Sequence, residues 1–179
     1  MNLLIIILVV LAILIVILLI AASFLKNEYT VEREVIINKP KQEVFNYIKF
    51  LKNQDNYNKW VMMDPNAKKE YKGTDGTVGF VLAWDSENKQ VGKGEQEIKK
   101  ITEGERIDLE IRFVKPFRGT SYAHMTTAFL SENQTKLNWV FRGIRNYPMK
   151  IFHLLFNLKK MLGKDLEKSL ANLKSVLEK

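Results

Sequence analysis

Acid–base or metal chemistry in this 179-residue chain would have to begin at its two histidines, His124 and His153, or at a scattered set of carboxylates. A general acid or base works with a partner aimed at the same reacting point, and a zinc site needs three or four ligands at matched spacing. Neither histidine has an acidic partner at such a spacing. In "GTSYAHMTTAFL" His124 alternates with Tyr122 and Thr126 against Met125, Thr127 and Phe129, so it is expected on the wet face of a strand. His153 lies in the apolar stretch "IFHLLF" and reads as a core or boundary residue, and Asp64, beside Pro65, reads as part of a turn. The chain shows no Ser/His/Asp grouping, nucleophile elbow or phosphate-cradling glycine loop, and it has no cysteine. No catalytic residue, metal or cofactor is expected.

The side chains that alternation turns inward are mostly large and apolar. A cavity wall would take Phe80, Leu82, Trp84, Gly94, Gln96 and Ile111 from the first strands, then Phe113, Met125, Phe129, Trp139 and Phe141 from the later ones. Trp60 precedes these strands, and Phe152, Phe156 and Met161 would close the wall from the helical side. At the same spacings these residues also read as ordinary core. The inward polar residues are few: Gln96 and Thr127, with Tyr57 and Arg142 as further candidates. Such a pocket suits holding and orienting a ligand better than transforming one.

Several kinds of element must position these residues. From Leu3 to Leu25 the chain is apolar except for Ser23, and as a helix this run would span roughly 34 Å, enough for a ~30 Å hydrocarbon core. It reads as a retained anchor, residues 1–26, because only Met1 and Asn2 precede it and a secretory h-region is shorter. Ala21 and Ser23 leave a cleaved signal as the alternative. Lys26, Arg33, Lys39 and Lys41 follow the run and no basic residue precedes it, which favours a cytoplasmic position for residues 27–179. The formal net charge of +8 comes from 28 Lys/Arg against 20 Asp/Glu, all beyond the apolar run. It implies a solvated surface, or attraction to anionic headgroups.

"YTVEREVIINKP" reads as a strand, broken in its alternation at Arg33 and Ile36, and "KQEVFNYIKFL" reads as a helix. After the polar stretch "NQDNYNKW" come short strands at regular spacing. The clearest is "RIDLEIRFV", where Ile107, Leu109, Ile111 and Phe113 alternate with charged residues. From Pro148 the period becomes helical, with Leu158, Leu162, Leu166, Leu170, Leu173 and Leu177 on one stripe and Gly163 expected to divide the helix. That stripe needs an apolar partner, and the sheet is the available one.

The order strand, helix pair, antiparallel run and C-terminal helix resembles the START-like, Bet v 1-like (SRPBCC) superfamily. The resemblance is carried by "EREVIINKPKQEVFNYI", by "NKW" ending at Trp60, by "VGFVLAWDSENKQVGKGEQEIKKI", by "TKLNWVF" and by "YPMKIFHLLFNLKKMLGKDLEKSLANLKSVLE", together nearly all of residues 29–179. The last stretch is similar to bacterial members described as polyketide cyclase/dehydrase proteins. The resemblance implies an α+β helix-grip fold, a curved antiparallel sheet wrapped around a long C-terminal helix, with one transmembrane helix ahead of it. It also implies an apolar cavity between sheet and helix, used by different members for lipids, sterols, quinones, hormones or polyketide intermediates. Membrane-tethered binding of a hydrophobic small molecule is the function expected, with a cyclase or dehydratase-like enzyme and a membrane-surface interaction module as alternatives. Nucleic acid is not an expected partner, because the aromatics fall on core faces and do not interleave with Lys and Arg on an exposed platform.

Overall fold

The structure is a computed structural model, and it describes residues 2–24, 26–144, 150–151 and 157–179. Helix α1 (Leu3–Ser23) is followed by strand β1 (Glu28–Ile37), helix α2 (Lys41–Lys49), a 3-10 turn (Leu51–Asn56) and the short helix α3 (Lys59–Met62). Strands β2 (Lys68–Lys72), β3 (Val81–Asp85), β4 (Lys93–Thr102), β5 (Arg106–Lys115), β6 (Gly119–Ser131) and β7 (Gln134–Ile144) come next, then helix α4 (Leu158–Leu177). The strands form one seven-stranded sheet in the order β1-β7-β6-β5-β4-β3-β2, every pair antiparallel. This is the expected helix-grip arrangement. The expected start of helix at Pro148 and the placement of His153 lie outside the described residues.

Alternation divides the sheet as the residue types demand. Ile107, Leu109, Ala123, Met125, Leu137 and Trp139 are buried on the concave face. On the convex face Arg112 bonds Glu95 at 2.6 Å and Glu97 at 2.8 Å and also reaches Glu110, a cross-strand network on a wet surface. Leu166, Leu170, Leu173 and Leu177 of α4 are buried in the same cluster as the concave residues. Burying each such leucine is worth about 2 kcal/mol, so the stripe holds the helix in place.

The break in alternation at Arg33 has a structural cause. Arg33 lies on the concave side of β1 and bonds Glu167 of α4 at 2.5 Å, with its guanidinium where a Cβ on Gly163 would stand. Gly163 therefore does not divide the helix as expected: α4 runs through it, and the missing side chain makes room for Arg33. The helix instead begins after Asn157, whose side chain accepts from the Lys160 backbone N–H at 3.1 Å. Through this contact α4 packs closely against β1, touching α3 and the 3-10 turn but standing off from the other strands. Helix α2 covers β6 and β7 toward the end of the sheet that holds the β4–β5 and β6–β7 turns.

His124 lies on the convex face, as expected, between Asp108 and Val140 on the neighbouring strands. Its pKa falls below the usual 6.5, first through partial burial and then through Arg106 and Arg142, with Asp108 and Glu32 opposing. The neutral form is thus favoured in the fold, and the unfolded chain takes up the proton first as pH falls. This share of stability is full above about pH 6.5 and declines as pH drops below it. Urea unfolding at stepped pH should show His124→Gln losing less stability than the wild type between neutral pH and pH 5. Parallel losses would contradict this assignment.

Candidate functional site

Because α4 leans on β1, the described residues fill the concave face beneath β3 to β7 only in part. A cavity of about 220 Å³ remains there. It exceeds the ~150 Å³ apolar cavities that stay dry and admit an aromatic ring. Its sheet wall is formed by Leu82, Trp84, Gln96, Ile111, Phe113 and Phe141, with Leu109, Ala123 and Trp139 deeper along the same strands. Trp60 and Val61 of α3 and Leu162 of α4 close the helical side, and Gln90 and Val91 of the β3–β4 loop form the rim.

Glycine sets the shape of the outer wall. Trp84 is paired with Gly94, which is in turn paired with Phe113. A Cβ on Gly94 would come within 2.6 Å of both the Trp84 ring and the Arg112 carbonyl oxygen. The absent side chain lets Trp84 lie across β4 and meet Phe113 edge-on at 6.1 Å between centroids, while its Nε1 donates to the Val91 carbonyl at 3.2 Å. That bond ties the rim loop to the wall.

The polar side of the cavity comes from the 3-10 turn. Leu51, Gln54 and Tyr57 follow one another at three-residue spacing, the period at which 3-10 side chains align, and all three are buried. Gln54 and Gln96 donate to one another, at 3.3 and 2.9 Å, and Gln54 Oε1 also accepts from Asn58 Nδ2 at 3.0 Å. Asn58 Oδ1 caps α3 by accepting from the Trp60 N–H. Among the described residues each of these amide nitrogens uses one of its two N–H groups. Nearby, Tyr57 and Trp139 meet edge-on, and among the described residues neither Trp139 Nε1 nor the Tyr57 hydroxyl has a hydrogen-bond partner. Burial, then Tyr47 and Asp75, holds the Tyr57 hydroxyl firmly protonated, its pKa well above the ordinary value of 10.0. An unpaired buried donor costs about 1–3 kcal/mol.

Among the described residues two ionisable side chains reach the lining, Asp64 and Lys69. Lys69 is paired with Asp55 at 2.8 Å, and Asp64 accepts from Ser86 Oγ at 2.5 Å and from the Asn66 N–H of its own turn. They do not form an acid–base pair. Among the described residues no group of three or more His, Asp or Glu could hold a metal ion.

Of the wall residues expected from sequence, Trp60, Leu82, Trp84, Gln96, Ile111, Phe113, Trp139 and Phe141 line the cavity. Phe80 and Met125 face the same way but are packed core, in the half of the concave face that α2 and the 3-10 turn cover. Phe129 is a correction: it has the inward parity yet lies two residues past Thr127, where the β6–β7 ladder shifts register, and is 64% exposed. Met161 is another, 56% exposed, because it sits one residue and about 100° around the helix from the inward Leu162. Phe152 and Phe156 lie outside the described residues. Gln54 and Asn58 were hidden in a polar stretch that reads as loop, although the three-residue spacing of Leu51, Gln54 and Tyr57 and the Asn cap before Lys59-Trp60 mark them.

No protein-family model matches this chain, and no curated protein sequence does. Solved structures do. The protein MLL2253 from Mesorhizobium loti is similar over 84% of this chain and 97% of its own, at 15% identity and a TM-score of 0.61. A truncated norcoclaurine synthase from Thalictrum flavum covers 84% of this chain and 92% of its own, at 11% identity and a TM-score of 0.57. The di-domain ARO/CYC BexL from the BE-7585A biosynthetic pathway is similar over 88% of this chain and 52% of its own, at 12% identity and a TM-score of 0.61. The chain has the Bet v 1-like helix-grip fold of the SRPBCC proteins, and at these identities the likeness concerns the fold alone.

Replacing Gly94 by Ala should lower stability by about 1–3 kcal/mol, because both neighbours of the new methyl group are fixed in the sheet or the wall. A urea midpoint within error of the wild type would show that Trp84 is free to move.

Proposed function

We propose that residues 27–179 bind a compact hydrophobic molecule that carries an oxygen acceptor, of the size of a quinone or isoprenoid ring or one segment of a lipid, and that α1 holds them at the membrane from which it is drawn. The observation that carries this reading is the cavity itself, with an aromatic and aliphatic wall and a cluster of spare amide and indole N–H donors. Apolar contact supplies affinity there, and a single ligand oxygen meeting those donors would fix its orientation.

The anchor part of the proposal rests on α1. Its 21 residues are apolar or small, without a charged side chain, and exposed along nearly their whole length. A helix of that length spans ~32 Å and matches the hydrocarbon core. Partitioning concentrates apolar ligands in the same bilayer. On the positive-inside rule the binding domain lies on the cytoplasmic side.

Norcoclaurine synthase and BexL are named for a synthase and for aromatase/cyclase chemistry. Binding is the reading preferred here because, among the described residues, the ionisable groups of the lining, Asp64 and Lys69, are each engaged elsewhere.

Residues 27–179 purified without detergent and examined by native mass spectrometry should retain an extractable apolar molecule. Ala123→Phe, which puts a ring into the deep part of the cavity, should abolish that retention while circular dichroism and the thermal midpoint show the fold intact. Equal occupancy in both proteins, or a wild type that is always empty, would overturn the proposal.

A further inference from the structure

We infer that the domain docks onto an anionic phospholipid surface through one defined end of its sheet, the end bearing the β3–β4 and β5–β6 connections; the inference builds on the proposed anchor. The strand registers define the two ends. Glu28, the first residue of β1, is paired with Ile144; across the sheet the same end carries Gly119, Phe113, Lys93, Asp85 and Lys68. Only residues 24–27 separate α1 from Glu28, a reach of at most ~18 Å. The chain therefore leaves any membrane at this end and cannot present the opposite one to it without turning the domain over.

Charge separates the two ends in the same sense. The connections at the anchor end carry Lys26, Lys89 and Arg118 against Asp64 and Glu87, with Lys68, Lys115 and Glu28 exposed beside them. Those at the far end carry Asp75, Glu103, Glu105 and Glu132 against Lys39, with Lys72 exposed beside them. At the anchor end a surface depression between the β3–β4 loop and the β5–β6 hairpin is lined by Lys68, Lys89 and Lys115, with Asp85 and Glu87. Asp85 is occupied by Lys93 at 2.6 Å, and that bond holds its pKa below the usual carboxylate value. Three lysines against the one remaining carboxylate, Glu87, leave the dent net positive, which suits a lipid phosphate at a strength of about 1 kcal/mol for each basic side chain near the surface. Exposed apolar side chains do not choose between the ends: Phe117 is 44% exposed at one, Val78 60% at the other. The tether and the charge do.

The consequence is functional. The cavity lies in the half of the concave face nearest this end, with its rim at Gln90 and Val91, because α2 fills the other half. Docking brings the rim down to the headgroups, so that an apolar ligand passes from the bilayer into the cavity with little exposure to water.

The chain has no cysteine, so single probes can be placed at will. The full chain carrying Phe117→Cys or Val78→Cys would be labelled with an environment-sensitive fluorophore and reconstituted into phosphatidylcholine vesicles with or without phosphatidylglycerol, then titrated with spin-labelled lipid. The inference predicts a blue shift and quenching at position 117 only with phosphatidylglycerol, reversal by molar salt, and an aqueous probe at 78 throughout. Reversing Lys115 or Arg118 to Glu should lower the docked fraction by at least roughly fivefold for each side chain changed. An aqueous probe at 117, quenching at 78, or indifference to phosphatidylglycerol would overturn it. Carbonate-resistant flotation of the same vesicles reports on the anchor separately: protein released by carbonate, yet quenched at 117 before release, refutes the anchor and supports the docking.

Discussion

The arrangement depends on where α4 is held. Arg33, an arginine on the inner face of an edge strand, lies across Gly163 and bonds Glu167, and the leucine stripe below it packs into the core. With the helix drawn to β1, a sheet of seven curving strands has more concave surface than one helix and α2 can cover. The remainder is the cavity. The ion pair is more than a third exposed on both sides, so its Coulombic worth is small; its weight is geometric, since a side chain at position 163 would force the guanidinium out.

The same economy appears in the wall. Gly94 gives up a side chain so that Trp84 can cross β4 to Phe113, and the edge-on contact of those rings keeps the outer cavity from collapsing. Deeper in, the amides of Gln54, Gln96 and Asn58 bond one another. Among the described residues Trp139 Nε1 and the Tyr57 hydroxyl have no hydrogen-bond partner, and a buried orphan donor costs stability unless something accepts from it. The occupant we propose for this space is accordingly apolar in bulk, with an oxygen at one end.

Much of this was legible in the residues. Alternation in "RIDLEIRFV" and "TKLNWVF" marks strand and inward face together, because a period of two has one reading once a face is buried. The leucine stripe marks the helix in the same way, and eight of the fifteen wall residues expected from sequence line the cavity. Parity says which way a side chain points but not what stands opposite, so Phe80 and Met125 read like cavity residues and are core under α2, while Phe129 has the right parity beyond the last covering element. The roles of Gly163 and Arg33 were illegible for a related reason. A glycine in a helix and a charge in a strand both look like local faults, and only their contact across 130 residues of chain shows that each accommodates the other.

The central claim is that the unfilled half of the concave face exists to hold an apolar molecule by its oxygen. A crystal structure of the protein purified in mild detergent from its own membranes tests this most directly. The account predicts non-protein density between Trp139, Leu109 and Gln96, with an oxygen within hydrogen-bond distance of Trp139 Nε1 or of the Gln54–Gln96 pair. Side chains of Trp84, Phe113 and Trp139 collapsed together over an empty core would contradict it.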